Sequence, residues 1–251
     1  MKPNIILMGA ALAVFAPLTA RSATVAITPG TYTENFDTLV PGADPAPGWK
    51  VRSASTATSL GAQGGIVTAP LWNDTGSGFR SVSSTNIPAT SDAAAQNANT
   101  NRALAIRQGR TGNLSPGAGF TFNFSTTNVQ IDSVSMDLLL LENSTTRDTT
   151  FDIQYAFGAT PTSFTTLGSW TNDGVFGATN FTFDRDDFGS AFDNGSQLWI
   201  RVVALNASTG SGGNFDLLAI DNFSINASAV PEPSAALLGV VGALGLLRRR
   251  R

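Results

Sequence analysis

Large apolar residues recur at every second position in several stretches of the chain. Phe120, Phe122 and Phe124 share one parity, with Thr121 and Asn123 between them. Val134, Met136, Leu138 and Leu140 oppose Ser133, Ser135 and Asp137. Phe151, Ile153, Tyr155 and Phe157 oppose Asp152 and Gln154, and Leu198, Ile200, Val202 and Ala204 oppose Trp199 and Arg201. A period of two puts alternate residues on opposite faces of a strand, one face buried and one wet. Turn formers cluster between these runs, at 113–117, 172–174, 193–195 and 209–213. No stretch between the two ends of the chain shows a helical period. Many strands at short spacing without intervening helices predict an all-β fold, an antiparallel β-sandwich or jelly roll. Residues 82–102 break the pattern and predict a long loop with room for one helical turn. No repeat recurs at a fixed period, which argues against a solenoid or propeller.

Two carboxylates sit awkwardly in this pattern. Tyr32, Glu34 and Phe36 share a parity, so Glu34 lies on a face with two aromatics. Ala219, Asp221, Phe223 and Ile225 also share a parity, which places Asp221 on an apolar face. A bulge at Asp221-Asn222 is the alternative, and it would let Leu218, Ile220, Phe223 and Ile225 all point inward. A carboxylate among apolar side chains is costly unless it is hydrogen-bonded, paired or bound to a metal. The two residues come from the first and last predicted strands, which in sandwiches often lie side by side.

Two apolar segments stand apart from the alternating region. Lys2, the run from Ile5 to Leu18 and the small residues around Ala20-Arg21-Ser22 have the order of a secretory signal peptide, with cleavage predicted after Ser22. Near the other end, Pro231, Glu232 and Pro233 precede an apolar run from Ala235 to Leu247 and then Arg248, Arg249, Arg250 and Arg251. The prolines separate that run from what comes before. As a helix it would extend about 20 Å at the usual rise, against a hydrocarbon core of about 30 Å. Arginine snorkelling and local thinning narrow that gap, and the basic cluster favours the cytoplasmic side. The predicted division is a signal peptide over 1–22, a β-sandwich domain over 23–228 and a tail with a short transmembrane helix over 229–251.

This tail resembles the PEP-CTERM sorting signal of Gram-negative bacteria. The resemblance covers about Val230 to Arg251 and rests on the tripeptide, the apolar run and the basic end in that order. It implies export through the Sec route and a transient stay in the inner membrane. It further implies processing near Pro231, Glu232 and Pro233 by exosortase, a membrane protease-transpeptidase. The final place would be the cell surface or an exopolysaccharide-rich matrix.

Composition narrows the chemistry. Removing Lys2, Arg21 and the four terminal arginines leaves nine basic residues against roughly twice as many acidic ones. So acidic a domain does not suit nucleic acid, whose phosphates call for basic patches. The chain has no cysteine and no histidine. That excludes Ser-His-Asp and Cys-His catalysis, imidazole bases and the common zinc sites. The segments Tyr32–Asp37 and Ala219–Ile225 resemble jelly-roll, lectin-like and carbohydrate-binding modules. In those an early Glu and a late Asp help hold a structural calcium, which implies Glu34 and Asp221 as metal ligands. Calcium needs six to eight oxygens, so backbone carbonyls would complete the shell.

Four tryptophans are candidates for stacking on sugar rings: Trp49, Trp72, Trp170 and Trp199. Trp199 leads because its parity opposes the core face of its strand, and it is the predicted ligand-binding residue. Trp49 follows Pro47-Gly48 and is expected in the core or at a corner. Asp184-Arg185-Asp186-Asp187 reads as an acidic, solvated loop. Asp132, Asp137, Glu142, Asp148 and Asp152 mostly occupy wet-face positions, so no pair stands out for glycoside cleavage. These readings predict an exported, non-catalytic cell-surface or matrix protein with a structural or adhesive role beside exopolysaccharide. A carbohydrate-binding module is the competing prediction, and a polysaccharide-cleaving enzyme a distant third.

Overall fold

The alternating segments become strands and their apolar faces meet. The computed structural model describes residues 24–67, 76–85, 93–109, 113–142, 146–172, 174–193, 195, 197–230 and 248. The predicted signal peptide, Trp72, the tail from Pro231 to Leu247 and Arg249 to Arg251 lie outside the described residues. Among the described residues no helix is long and apolar enough to cross a membrane.

Two seven-stranded sheets form among the described residues. The first runs β11 (Thr165–Thr171), β10 (Thr150–Phe157), β13 (Leu198–Val203), β8 (Gly119–Thr126), β3 (Trp49–Ser53) and β4 (Ala62–Gln63), with β1 (Val25–Ile27) also on β8. The second runs β12 (Gly177–Asp184), β9 (Val129–Glu142), β14 (Leu217–Ala229), β7 (Arg102–Arg107), β6 (Gly78–Ser83) and β5 (Ile66–Val67), with β2 (Gly30–Glu34) on β14. From β8 to β14 the chain passes back and forth between the sheets, which brings residues distant in sequence into one interior.

The sheets are mixed rather than purely antiparallel, because β1 runs parallel to β8 and β5 parallel to β6. The first of these has a clear cause. β3 pairs only with Gly119 to Phe122, leaving the far end of the β8 edge open, and β1 covers Phe124 to Thr126 there. An uncovered edge would expose unpaired backbone groups.

Phe120, Phe122, Phe124 and Phe151 face inward as predicted, but Phe157, of the same parity as Phe151, lies at the end of β10 and is 46 % exposed. Phe120, Phe122 and Phe124 of the first sheet share one buried cluster with Val134, Met136, Leu138, Leu140, Phe223 and Ile225 of the second. Trp49 meets Phe223 edge-on, with ring centroids 4.9 Å apart, and Phe122 lies 5.1 Å from the same ring. Each such side chain removed from water contributes about 1.5–3 kcal/mol.

Strand β14 carries the bulge that is the alternative reading, so Asp221 does not share the core face of Phe223 and Ile225 as unbroken parity implies. Its register with β9 shifts between Asp221 and Ser224, and Asn222 takes φ +48°. Leu218 and Ile220 before the bulge, and Phe223 and Ile225 after it, all enter the inter-sheet core. Asp221 therefore shares the outer face with Ala219, part of a second apolar layer with Val82, Ala103, Ala105, Leu139, Leu141 and Leu217.

Helix is confined to short pieces among the described residues. Part of the predicted 82–102 loop is the helix α1 (Ala93–Ala98). The Asp184–Asp187 segment is not an open loop, because it starts the one-turn helix α2 (Arg185–Phe188). Asp184 Oδ1 accepts from the Asp186 amide at 2.9 Å, and Asp187 Oδ2 accepts from the Asp184 amide at 2.9 Å. The carboxylates cap the turn and satisfy its free amides, a job for which Asp is among the best residues. A single turn is too short to show a helical period.

Candidate functional site

The outer face of the first sheet is built of polar rows set by strand register. One row runs Gln154, Arg201, Thr121 and Lys50 across β10, β13, β8 and β3. The next holds Ala156, Trp199 and Asn123. Period two alone puts these residues opposite the core-facing phenylalanines. Two loops then fold over the rows and bury them.

Arg201 anchors the first loop. It is 1 % exposed, with Nε donating to Gln154 Oε1 at 2.8 Å and Nη1 to the carbonyls of Thr56 and Ser59 at 3.1 and 3.0 Å. Its guanidinium carbon lies 3.2 Å from the centroid of the Phe164 ring. Burial pushes the Arg201 pKa down to about 10, partly offset by Asp152. The same loop closes at Gly61, which takes φ +79° where a Cβ would stand 2.3 Å from the Ser53 carbonyl oxygen. Only glycine fits so close an approach.

Trp199 anchors the second loop. Its Nε1 donates to the Gly158 carbonyl at 2.8 Å, where the chain leaves β10. Between the loops lies a cleft of about 340 Å³. Trp199 and Arg52 lie in it, with Thr58, Ser59, Leu60 and Gly61 on one side and Ala159, Thr160, Pro161 and Thr162 on the other. The Arg52 guanidinium carbon sits 5.8 Å from the centroid of the Trp199 ring, within cation–π range. Trp199 is thus on the wet face of its strand, as its parity implies, yet only 5 % exposed. It serves as a wall of the cleft rather than an open platform. An aromatic wall, a guanidinium and hydroxyl-bearing rims can contact the apolar face of a sugar, its charged groups and its hydroxyls together.

The other tryptophans described are structural. Trp49 and Trp170 lie in the core, 1 % and 7 % exposed. Arg52, absent from the sequence-level candidates, is the main residue that pattern reading missed. Its parity with Lys50 on the wet side of β3 was the available signal, but nothing in the sequence tied it to Trp199.

Glu34 and Asp221 do lie on neighbouring strands, with Glu34 in register with Phe223 and the bulge beside it. Each carboxylate serves a backbone amide. Glu34 Oε1 accepts from the Phe36 amide at 2.7 Å, and Asp221 Oδ1 from its neighbour Asn222 at 2.7 Å. Burial raises the Glu34 pKa, with the Phe36 amide opposing and Asp37 adding to the rise. Burial pushes Asp221 up to about 7; the Asn222 amide and Ser84 oppose this, while Asp37 and Asp137 add to it. The acidic neighbours that act on Asp221 are therefore Asp37 and Asp137, not Glu34. Among the described residues no three Asp or Glu side chains gather in a way that could hold a metal ion.

The remaining carboxylates are dispersed. Asp37 Oδ1 accepts from the Arg102 amide at 2.9 Å. Asp137 accepts from Asn180 and Asn222, each at 2.8 Å. Asp132 accepts from Gln130 and Ser228. Glu142 pairs with Arg107. Asp148 lies in an isolated bridge to Thr209. Burial raises the pKa of Asp152, and Arg201 opposes that shift.

No family model matches the chain, and no curated protein matches it. Several solved structures resemble it in shape. The K2 cleaved adhesin domain of Lys-gingipain is 14 % identical with a TM-score of 0.46, over 78 % of this chain and 99 % of that one. The K1 adhesin domain of Lys-gingipain from Porphyromonas gingivalis W83 is 12 % identical with a TM-score of 0.44, over 78 % and 97 %. The CBM22-1 xylan-binding domain of Xyn10C from Paenibacillus barcinonensis is 14 % identical with a TM-score of 0.42, over 82 % and 99 %. Likeness at this level identifies no family.

Proposed function

We propose that this chain is a non-catalytic glycan-binding module of an exported protein, and that the cleft beside Trp199 is its binding site. The observation that carries this reading is the cleft itself, with an indole wall, the Arg52 guanidinium and two hydroxyl-bearing rims on the polar face of the first sheet. Among the described residues its lining has no carboxylate, whereas glycoside cleavage ordinarily needs two flanking the bond. Binding therefore suits it better than hydrolysis. The passage of successive strands between two sheets supports a jelly-roll description of the fold.

The rest of the proposal concerns address. The leader over 1–22 would direct export, and the tail over 229–251 would hold the protein in the inner membrane until exosortase acts near Pro231, Glu232 and Pro233. An adhesive role beside exopolysaccharide then follows from glycan binding at the cell surface. Calcium at Asp221 stays within the proposal, supported by the buried Asp221 carboxylate on which the charges of Asp37 and Asp137 act.

The test is a glycan array with the full chain, alongside Trp199→Ala. Binding to a defined set of glycans that is lost in the variant, with the fold intact by circular dichroism, supports the reading. An array on which wild type binds nothing overturns it. The address is tested separately: in a host with exosortase, Glu232→Ala should leave the tail on the exported protein, as read by mass spectrometry.

A further inference from the structure

We infer that the cleft takes an acidic glycan, with a uronate carboxylate seated on the Arg52 guanidinium. This rests on the glycan-binding reading and adds the charge of the ligand. Arg52 leaves β3 on the wet face, and its Nε donates to Thr121 Oγ1 at 3.4 Å. Among the described residues its two terminal nitrogens form no hydrogen bond or ion pair.

Other buried or half-buried arginines differ. Arg102 donates to the carbonyls of Leu39, Ser81, Gln96 and Asn99. Arg107 reaches Glu142 and the Phe215 carbonyl. Arg185 grips both oxygens of Asp193, at 3.1 and 2.6 Å. Arg201 holds two loop carbonyls and Gln154. Among the described residues, Arg52 lines the open cleft with both terminal nitrogens of its half-buried guanidinium lacking an acceptor.

The chain has 18 Asp and Glu residues, so a partner for Arg52 would have been easy to supply. None stands there. Burial lowers the Arg52 pKa, and no carboxylate acts to restore it. A cation partly stripped of water and left unpaired is unfavourable. A ligand that brings the missing anion gains from relieving this. The planar fork matches a carboxylate by two parallel hydrogen bonds, the geometry that favours Arg over Lys. Trp199 stands beside it, so one pyranose ring can contact the indole while its carboxylate meets Arg52. Thr58, Ser59, Thr160 and Thr162 offer hydroxyls to the remaining ring substituents.

Titration calorimetry on the full chain tests this with oligomers of polygalacturonate and alginate, their carboxyl-reduced counterparts and a sulfated neutral oligosaccharide. At 50 mM salt, about the low end of the range where charge contacts dominate, at least one uronate oligomer should bind about tenfold more tightly than its reduced form. Arg52→Gln should erase that preference by weakening the acidic form about tenfold more than the reduced one. Arg52→Lys should keep part of the preference. Equal binding of acidic and reduced forms by the wild type overturns the inference and leaves the glycan-binding reading standing. So does tighter binding of the sulfated probe, or equal weakening of both forms in Arg52→Gln. Failure of every oligosaccharide to bind overturns both. The wild-type comparison does not depend on any variant folding.

Discussion

Glu34 Oε1 accepts the backbone N–H of Phe36 at 2.7 Å, and Phe36 holds φ +55°. A bulky residue with positive φ is an outlier that only strong surroundings maintain. Here the carboxylate fixes the amide from one side, and the Phe36 ring packs edge-on against Trp49 with centroids 5.0 Å apart from the other. Glu34 thus braces the corner where the chain leaves β2 and turns into the loop that reaches Arg102.

Removing that brace should cost stability. Glu34→Ala orphans the Phe36 amide and is expected to destabilise the fold by about 1–3 kcal/mol. Glu34→Gln keeps an acceptor oxygen and should cost clearly less. Urea unfolding of the three proteins measures both. Equal losses in the two variants would show that the carboxylate acts otherwise than as an acceptor for this amide.

Asp221 should make stability depend on pH. Its folded pKa, about 7, lies above the ordinary aspartate value of 3.8. A raised pKa means that the fold holds the proton more tightly than the unfolded chain. The resulting stabilisation is complete below about pH 4 and fades as pH rises through 7. Isolated from other groups, this trend predicts a melting temperature that falls from pH 5 to pH 8. Asp221→Asn should flatten that part of the profile. A wild-type slope that survives the substitution unchanged assigns the effect to another group.

Calcium competes with protons for the same carboxylate. If a cation sits at Asp221, added calcium should raise the melting temperature more at pH 8 than at pH 5, and Asp221→Asn should abolish the difference. Identical melts of the wild type with calcium and with chelator at pH 8 remove calcium from the proposal.

Arg201 should govern the cleft rim. Arg201→Ala frees the carbonyls of Thr56 and Ser59 and the Gln154 side chain, for an expected loss of about 3 kcal/mol, the scale of a broken buried charged network. Amide hydrogen exchange should quicken in residues 54–61 first, while Leu218 to Ile220, paired on both sides near the start of β14, stay protected. Uniform acceleration throughout would mean that Arg201 supports the whole sandwich rather than one loop.

Trp199 has two roles that substitution can separate. Trp199→Phe keeps an aromatic wall but loses the hydrogen bond to the Gly158 carbonyl. It should loosen residues 158–162 and weaken glycan binding by less than Trp199→Ala. If both variants bind equally, the indole face contributes nothing to the ligand and its hydrogen bond matters most.

Much of the sandwich was legible in the chain because each strand carries its own evidence. The inward phenylalanines of β8, the aliphatic face of β9 and the wet parity of Trp199 and Arg201 follow from a period of two. The bulge was one of two open readings at Asp221-Asn222. It was decided by packing, since four large residues of β14 could enter the interior only if the register slipped. The parallel pairing of β1 was hidden, because a three-residue strand has no pattern that specifies direction. The capping role of Asp184 and Asp187 was hidden for a similar reason, in a helix of one turn.

The sequence by itself determined that strands would form, which side chains of β8, β9 and β13 would meet the inter-sheet core, and that histidine and cysteine chemistry had no place here. Those properties are local or compositional, written in neighbouring residues. Tertiary structure decided what stands in the cleft. Arg52 and Trp199 are 147 positions apart, and their approach depends on β8 lying between β3 and β13 and on two loops folding over that face. No periodicity encodes such a meeting, because strand order and loop closure are set by the packing of the whole chain.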